Sequence, residues 1–340
     1  MLQMTLASPQ TITKADVPEP KAKDNQVVIK IARSGVCGSD IHAYYGKHPF
    51  IDLPVVPGHE FSGTIVEVGN GVTGFAIGDH VTVMPQLYCG ECRNCKTGRY
   101  NICSTLKVIG CQSPGASQEK LAADAHLVLK LPDGMSFDRG AMLEPLAVGI
   151  RSCKRGADIK GQRVLVLGAG TIGNLTAQAA KALGAESVMI TDIIAPRLDL
   201  AEKCGIDYAV NVQETDLAAE INKVWGEDGA DIIIECIGIA DALEQAIQVS
   251  RKGIDIVVAG VFEELATINM GLVQDKELNL LGTLMYTKED WLDSIRFVDA
   301  GTVTLEPLMS AHFPLAELAE AFKYIEQNKD TALKVLIDVS

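Results

Sequence analysis

The sequence predicts an α/β protein of two domains, a β-rich first domain and a second domain with a doubly wound parallel sheet. Three observations predict this fold class. The chain has 340 residues, more than one hydrophobic core usually supports. Residues 25–85 are rich in β-branched residues interrupted by glycine and proline, which indicates short strands and tight turns. From residue 163, apolar segments alternate with helical ones, which is typical of a parallel sheet covered on both faces.

In the first domain we expect strands within 25–85, then a loop excursion with clustered cysteines, then one or two strands within 120–133. A helix is predicted from about Asp138 to Lys154, and it leads into the second domain.

The second domain is predicted to begin with the strand Arg163–Leu167, which enters a glycine turn and a helix. Strands and helices then alternate as ESVMITD, APRLDLAEKCGI, YAVNV, LAAEINKVWG, ADIIIECIG, DALEQAIQVSRKG and IDIVVAGV. Helices near Trp291–Ala300 and Leu315–Gln327 and a last strand, LKVLID, lie outside this alternation. We therefore place the domains at 1–150, with a cysteine lobe at 89–103, and at 151–288, and we expect 289–340 to return to the first domain.

The composition excludes several classes of function. Hydrophobic residues make up 47% of the chain, which is typical of a globular protein. The net charge of −14 disfavours nucleic acid and anionic membranes as partners. The N-terminal residues lack the pattern of an export signal, and no apolar run approaches the roughly 18 residues that span a bilayer. We expect a soluble cytoplasmic protein.

Four closely spaced cysteines, Cys89, Cys92, Cys95 and Cys103, are the most specific motif in the chain. Such thiolates can surround one tetrahedral Zn²⁺. Disulfides are the alternative, but a cytosolic chain with nine cysteines, an odd number, fits reduced thiols and metal better. A site with four thiolate ligands and no vacant position is typical of structural zinc, so the chemistry is expected elsewhere.

The turn Gly168–Gly173 has the G-x-G-x-x-G spacing of a dinucleotide-binding turn, directly after a strand and at the start of a helix. Asp192 follows at the end of the next strand, where a carboxylate can accept both ribose hydroxyls and would repel a 2′-phosphate. NAD is therefore favoured over NADP, although Arg197 could hold such a phosphate. The turn residues expected at the cofactor are Gly168, Gly170, Thr171, Ile172 and Gly173.

A second candidate metal site lies in the first domain, where Cys37, His59 and Glu60 offer a thiolate, an imidazole and a carboxylate. Such a mixed set can leave one position open, as catalytic zinc requires. Glu144 lies in an otherwise apolar stretch, where an unpaired carboxylate would be costly, so it is expected to meet a cation. Taken singly, each residue also has an ordinary structural interpretation.

Five motifs in this order resemble those of the zinc-containing medium-chain alcohol dehydrogenases. They are Cys-Gly-Ser-Asp-Ile-His at 37–42, Gly-His-Glu-Phe-Ser-Gly at 58–63, the four-cysteine lobe, Glu-Pro-Leu-Ala-Val-Gly at 144–149 and the glycine turn. Within the family the chain is similar to the sorbitol (polyol) dehydrogenase branch, including bacterial sugar-acid dehydrogenases of the L-galactonate or L-gulonate type. The resemblance implies a GroES-like catalytic domain, a Rossmann domain, and zinc and NAD as cofactors.

The resemblance also implies the zinc ligands. Cys37, His59 and Glu60 would surround the catalytic zinc, with Glu144 beside it as a ligand or through a water. The two glutamates can exchange in related enzymes, so both remain candidates.

Three further residues receive catalytic roles from the resemblance. Asp40 would accept a hydrogen bond from the zinc-bound imidazole and fix its tautomer. Ser39 would hydrogen-bond the substrate oxygen, and His42 would pass the released proton outward. The alternative for His42 is a surface histidine without a function.

The chain departs from the family pattern in the segment 115–120, which lacks an aromatic pair and makes the pocket more polar. Arg151 stands where sorbitol dehydrogenases often have a histidine. It is either a cation that meets a substrate carboxylate, a role that Lys47 or His48 could also fill, or a solvent-facing helix charge. Phe50 is either an apolar wall of the substrate pocket or a core residue.

These features predict a zinc-dependent oxidoreductase that transfers a hydride from a secondary alcohol of a polyol or sugar acid to NAD and gives the ketone. An L-threonine or butanediol dehydrogenase, a zinc-free reductase of the same fold and a nucleotide-sensing regulator are the alternatives. Leu278–Leu284 is expected to form an apolar outer strand, which predicts pairing into a homodimer or homotetramer.

Overall fold

The computed structural model describes all 340 residues. The chain divides into two compact units, the first formed by Met1–Glu144 and Met309–Ser340 and the second by Pro145–Leu308. None of the helices combines the length and the hydropathy that crossing a membrane requires.

The strands before the division are β1 Leu2–Ser8, β2 Thr11–Asp16, β3 Gln26–Val36, β4 Glu60–Val68, β5 His80–Val83, β6 Gln86–Leu87, β7 Lys107–Val108, β8 Lys120–Asp124 and β9 Val128–Lys130. The second unit contains β10 Arg163–Leu167, β11 Ser187–Asp192, β12 Tyr208–Asn211, β13 Ile232–Glu235, β14 Asp255–Val258 and β15 Asn279–Gly282. The chain then returns to the first unit with β16 Met309–Pro314 and β17 Lys334–Asp338.

The helices are α1 Gly38–Tyr44, α2 Arg93–Lys96, α3 Phe137–Cys153, α4 Thr171–Ala182, α5 Ala195–Lys203, α6 Leu217–Trp225, α7 Ala240–Val249, α8 Met270–Asp275, α9 Lys288–Asp299 and α10 Leu318–Gln327. The helix α3 runs across the division between the units.

The main sheet of the first unit has the strand order β16-β17-β3-β4-β5-β9, with β8 also paired to β3. Both β17 and β4 run antiparallel to β3, with Val335 opposite Val36 and Glu60 opposite Gly35. The end of β3 therefore lies beside the first residues of β4 and β17. This register brings distant segments of the sequence together.

The second unit is a six-stranded parallel sheet in the order β12-β11-β10-β13-β14-β15. Chain order reverses beside β10, whose apolar side chains Val164–Leu167 are fully buried because helices cover both faces. The predicted fold class is thus confirmed. The strand β15 is the outer strand, as the sequence predicted.

The return to the first unit begins at Met309, later than the predicted residue 289. Helix α9 belongs to the second unit, where Lys154 at the end of α3 pairs with Asp290 at 3.1 Å and with Asp293 at 2.6 Å. Trp291 of the same helix is fully buried and packs edge-on against Tyr286. These contacts hold α9 against its own unit.

Candidate active site and metal centres

The first candidate metal site lies where β3 ends and β4 begins. Cys37 follows β3 directly, and His59 and Glu60 stand at the start of β4. The thiol of Cys37, the imidazole of His59 and the carboxylate of Glu60 offer ligand atoms that all lie within 4.8 Å of one another. The structure therefore gathers the thiolate, imidazole and carboxylate that the separate motifs suggested.

Glu60 is also held by a residue that the sequence analysis missed. Lys334, the first residue of β17, donates to both carboxylate oxygens of Glu60 at 2.6 Å and to the carbonyl of Val36 at 3.2 Å. Both side chains are buried, and Gly35 leaves room for the carboxylate, since a β-carbon there would collide with it. The sequence feature that could have pointed to this contact is a lysine at the start of an otherwise apolar strand, because a buried lysine needs an acidic partner.

The charges of this cluster depend on one another. Burial alone would lower the pKa of Lys334, but Glu60 and Cys37 outweigh it and raise the pKa above its ordinary value. Burial likewise opposes protonation of His59, whereas Asp40 and Cys37 raise its pKa well above its ordinary value. In this buried cluster the positive charges of Lys334 and His59 are thus balanced by nearby acidic groups.

Asp40 and His59 face each other without a hydrogen bond. Asp40 Oδ1 lies 3.8 Å from His59 Nδ1, beyond hydrogen-bonding range, and neither atom has another partner. Asp40 Oδ2 accepts from the backbone N–H of Cys37 at 2.9 Å, which ties it to the start of α1. Asp40 Oδ1 is therefore placed to favour a proton on Nδ1 of His59. With the proton on Nδ1, the other ring nitrogen, Nε2, is free to bind a metal.

Ser39 and His42 lie on α1, three positions apart, so they share one face of the helix. Both are half-buried. The helix begins immediately after Cys37, and the hydroxyl and the imidazole therefore start from the same segment as the thiol. This arrangement suits a short proton relay.

Glu144 is buried in α3, one residue before Pro145. Its charge acts on Lys334, so it belongs to the same electrostatic neighbourhood. The group of ligand atoms within 4.8 Å includes Glu60 and does not include Glu144. In this conformation Glu60 is the carboxylate closer to the thiol and the imidazole.

A second thiol, which the sequence analysis also missed, lies beside His59. The imidazole is within hydrogen-bonding range of both Cys111 and Cys37. Burial raises the pKa of the Cys111 thiol, and His59 partly offsets this. The segment 115–120 that departs from the family pattern begins four residues after Cys111.

Near this cluster, His48 is half-buried, and Phe50 is 75% exposed. The exposure of Phe50 excludes the interpretation as a core residue. Burial lowers the pKa of His48, and the neighbouring His42 and His59 lower it further.

The four cysteines of the lobe also come together as free thiols. Their sulfur atoms are 3.5 Å apart for Cys92 and Cys95, 3.5 Å for Cys89 and Cys103, 3.9 Å for Cys89 and Cys95, and 4.0 Å for Cys92 and Cys103. Tetrahedral zinc with bonds of about 2.3 Å requires sulfur separations of about 3.8 Å. The lobe therefore fits one zinc ion.

Backbone amides support the thiolate form in this lobe. The amide of Cys92 donates to the sulfur of Cys89 at 3.3 Å, and that of Thr105 donates to the sulfur of Cys103 at 3.5 Å. Hydrogen bonds from Ser104 and Cys95 lower the pKa of Cys92 to about 5, whereas burial and the contact with Cys92 raise the pKa of Cys95 to about 12. Thiolates are the form that binds zinc.

The glycine turn has the geometry that the sequence predicted. Gly168 has φ +96° and follows β10, and α4 begins at Thr171 after Gly170. A β-carbon at Gly173 would collide with the carbonyl of Gly168, so this glycine lets the helix pack on the turn. The open side of Gly170 and the N-terminus of α4 fit a pyrophosphate.

Asp192 ends β11 beside this turn. One carboxylate oxygen accepts from the amide of Ala169 at 2.8 Å, and the other accepts from Ile193 at 2.8 Å and Ile194 at 3.0 Å. Arg197 lies 3.7 Å from the same carboxylate. Asp192 is thereby fixed next to the glycine turn by backbone amides on both of its carboxylate oxygens.

The structure gives Arg151 a partner in its own unit, because its guanidinium lies 4.0 Å from the buried Asp290. Cys153 is buried with its thiol 3.4 Å from the carbonyl of Thr176, which agrees with a structural role. Neither residue belongs to the group of ligand atoms.

Two family models match the chain in the order of its motifs. One, described as "Alcohol dehydrogenase GroES-like domain", matches residues 23–133, and the other, "Zinc-binding dehydrogenase", matches residues 171–300. A 2-dehydro-3-deoxy-L-galactonate 5-dehydrogenase from Pseudoalteromonas atlantica is 34% identical over 92% of this chain and 91% of that protein. The chain belongs to the zinc-containing medium-chain alcohol dehydrogenase family. This family member is therefore an oxidoreductase, as the motifs predicted.

Two further comparisons agree with this assignment. A sorbitol dehydrogenase from Halalkalibacterium halodurans is 36% identical over 94% of this chain and 93% of that protein. The crystal structure of galactitol-1-phosphate dehydrogenase from Escherichia coli has a TM-score of 0.92 to this dehydrogenase at 30% identity, and the match covers 100% of both chains.

Proposed function

We propose that this dehydrogenase oxidises a secondary hydroxyl of a polyol or sugar acid to a ketone and reduces NAD. The observation that carries the proposal is the cluster of Cys37, His59 and Glu60 within 4.8 Å, next to the helix that begins with Ser39 and His42. The relatives named above act on polyols, a polyol phosphate or a sugar acid, which supports a polyhydroxylated substrate.

In this proposal Cys37, His59 and Glu60 hold the catalytic zinc, and Glu144 is the alternate carboxylate. When bound, zinc supplies the Lewis acidity that acidifies the substrate hydroxyl, and NAD accepts the hydride. Asp40 keeps the proton of His59 on Nδ1, so that Nε2 is free for the metal. Lys334 orients the carboxylate of Glu60 toward the site.

The proton of the substrate hydroxyl leaves through α1. The hydroxyl of Ser39 would accept this proton and give its own proton to the imidazole of His42, which passes a proton on to water. The coenzyme is held by the Gly168–Gly173 turn, with Asp192 at the ribose. We infer NAD, because the carboxylate of Asp192 would repel a 2′-phosphate and Arg197 is already partly neutralised by it.

A substrate panel tests the proposed function. Purified protein is given NAD with polyols, hexonates, threonine, butanediol and simple secondary alcohols, and NADH formation is followed. We expect the highest kcat/KM for a polyol or hexonate. Tight NAD binding without turnover of any panel member would instead favour a nucleotide sensor. Preferential turnover of threonine or butanediol would show that the substrate is not a polyol or sugar acid of the proposed class.

We also propose that two copies pair through β15. The amides of Asn279 and Thr283 donate toward β14, so by the period of two the amides of Leu280 and Gly282 point outward. A Leu280→Pro variant removes one outward donor. Light scattering should show a homodimer, or a tetramer built from it, for the wild type and smaller species for the variant; a monomeric wild type would refute the pairing.

A further inference from the structure

The loop Lys47–Phe50, whose residues were candidates for contact with the substrate, begins beside the helix that carries Ser39 and His42. The amide of Lys47 donates to the carbonyl of His42 at 2.9 Å, so the loop starts from the helical turn that carries the relay imidazole. Within the loop, the amide of Phe50 donates to His48 Nδ1 at 3.2 Å. The loop thus fixes the ring of His48 from its own backbone.

The side chain of Gln112 holds the far end of this loop. Its Nε2 donates to the carbonyl of Phe50 at 2.6 Å, and its Oε1 accepts from the amide of Val108 at 2.9 Å. Because both ends of the carboxamide are used, its orientation is fixed. Gln112 therefore ties the loop to the segment that carries Cys111.

That segment is itself anchored next to the candidate metal ligand His59. The amide of Gly115 donates to the carbonyl of Val56 at 2.8 Å, and that of Ala116 donates to the carbonyl of Gly58 at 2.9 Å. A β-carbon at Gly110 or Gly115 would collide with the backbone of Gly58, so the two segments are in close contact. The loop Lys47–Phe50 is therefore linked, through the side chain of Gln112 and the segment that follows it, to the backbone beside the candidate ligand His59.

The hydrogen bond from Phe50 determines the tautomer of His48. An Nδ1 atom that accepts a hydrogen bond carries no proton, so the proton of the neutral ring is on Nε2. The half-buried His48 then offers a single neutral N–H donor, and His42 and His59 are close enough to influence its charge. Such a donor matches a hydroxyl oxygen better than a carboxylate, for which a cation is the stronger partner.

We propose that His48 is a specificity-determining residue, whose Nε2–H donates to a hydroxyl oxygen of the substrate other than the one oxidised, and that Gln112 is the positioning residue that holds it there. The inference rests on the proposed function and deepens it, because it assigns recognition of the polyhydroxyl chain to a neutral donor. Arg151, paired with Asp290, has no part in it.

A matched pair of substitutions tests the role of His48. In His48→Gln the side-chain nitrogen can take the position of Nε2, whereas in His48→Asn it reaches only that of Nδ1. For the polyol or hexonate that the wild type turns over best, His48→Asn should lower kcat/KM about tenfold, through KM with kcat little changed. His48→Gln should recover most of this loss.

The reference substrate is 2-butanol, which has no second hydroxyl. Its kcat/KM should stay within about twofold of the wild type in both variants, since no hydrogen bond is lost. Equal losses on both substrates would show a purely structural role and overturn the proposal. An unchanged KM for the polyol in His48→Asn would overturn it as well.

The positioning role of Gln112 is tested by the Gln112→Met variant, which removes the hydrogen-bond donor to the carbonyl of Phe50. Alone, it should raise KM for the polyol and spare 2-butanol, as His48→Asn does. Combined with His48→Asn, it should add little, because both changes remove one interaction. Full additivity, or no effect of Gln112→Met, would refute the positioning role.

The two proposals fail separately. A wild type that reduces no NAD with any polyol or hexonate contradicts the proposed function and this inference with it. A wild type that turns them over, with His48 variants that do not change the preference over 2-butanol, contradicts only the inference.

Discussion

Lys334 donates to both carboxylate oxygens of Glu60, each at 2.6 Å, although 274 positions separate the two residues in sequence. The side chains are 3% and 1% exposed, so the pair is desolvated. The register of three neighbouring strands creates it, because β17 and β4 both pair with β3. A residue from the last strand of the chain thereby orients a candidate metal ligand.

In protein freed of zinc by a chelator, the Lys334→Met variant should be strongly destabilised relative to the wild type, because the Glu60 carboxylate is then buried without any cation. Breaking such a pair costs about 3–5 kcal/mol in the free energy of unfolding. Urea titration measures the change. The double variant Lys334→Met/Glu60→Met should regain much of the loss.

The control is Lys323→Met, which removes a lysine paired with Glu320 at 2.9 Å on the exposed face of α10. Its free energy of unfolding should change by less than about 1 kcal/mol. Comparable losses in the two lysine variants would show that burial of the Glu60 pair has no special effect.

The zinc content of two variants distinguishes the roles of Glu60 and Glu144. Because Glu60 lies within 4.8 Å of Cys37 and His59, Glu60→Gln should reduce zinc from two ions per chain to one. Glu144→Gln should retain both ions and lower kcat about tenfold or more through the altered charge of the site. Elemental analysis and steady-state kinetics check this, and the reverse pattern would make Glu144 the resting ligand.

The cysteine lobe should hold its zinc independently. Cys95→Ser removes one of the four thiolates and should leave one zinc per chain with a lower melting temperature. Cys204→Ser, which changes a cysteine outside both groups, should keep two. Two zinc ions in the Cys95 variant would argue against a four-thiolate site.

Coenzyme preference depends on Asp192. The wild type should favour NAD over NADP, and Asp192→Ser should lower kcat/KM for NAD about 10- to 100-fold, because hydrogen bonds from the ribose to a charged acceptor are lost. Turnover with NADP should rise in the same variant. Arg197→Met should not increase the use of NADP, and a wild type that prefers NADP would refute this assignment.

The sequence predicted the fold class and both metal-binding motifs because these depend on local patterns. Apolar strands that alternate with helices indicate a parallel sheet, and the spacing of Cys89–Cys103 is enough for a zinc lobe. The contacts of Lys334, Cys111 and Gln112 could not be predicted, since they arise from strand register and from the packing of one loop on Gly58. The contact of Arg151 with Asp290 could not be predicted either. Asp290 lies on α9, which was expected to return to the first domain.

The proposed activity depends on a catalytic metal at Cys37, His59 and Glu60. The most direct test is elemental analysis of the active enzyme, coupled to NADH formation with the best polyol or hexonate as a chelator removes metal. We predict two zinc ions per chain, with activity lost as the first ion leaves and restored when zinc is returned, while the fold persists. Full activity in protein that contains only the zinc of the cysteine lobe would contradict the account.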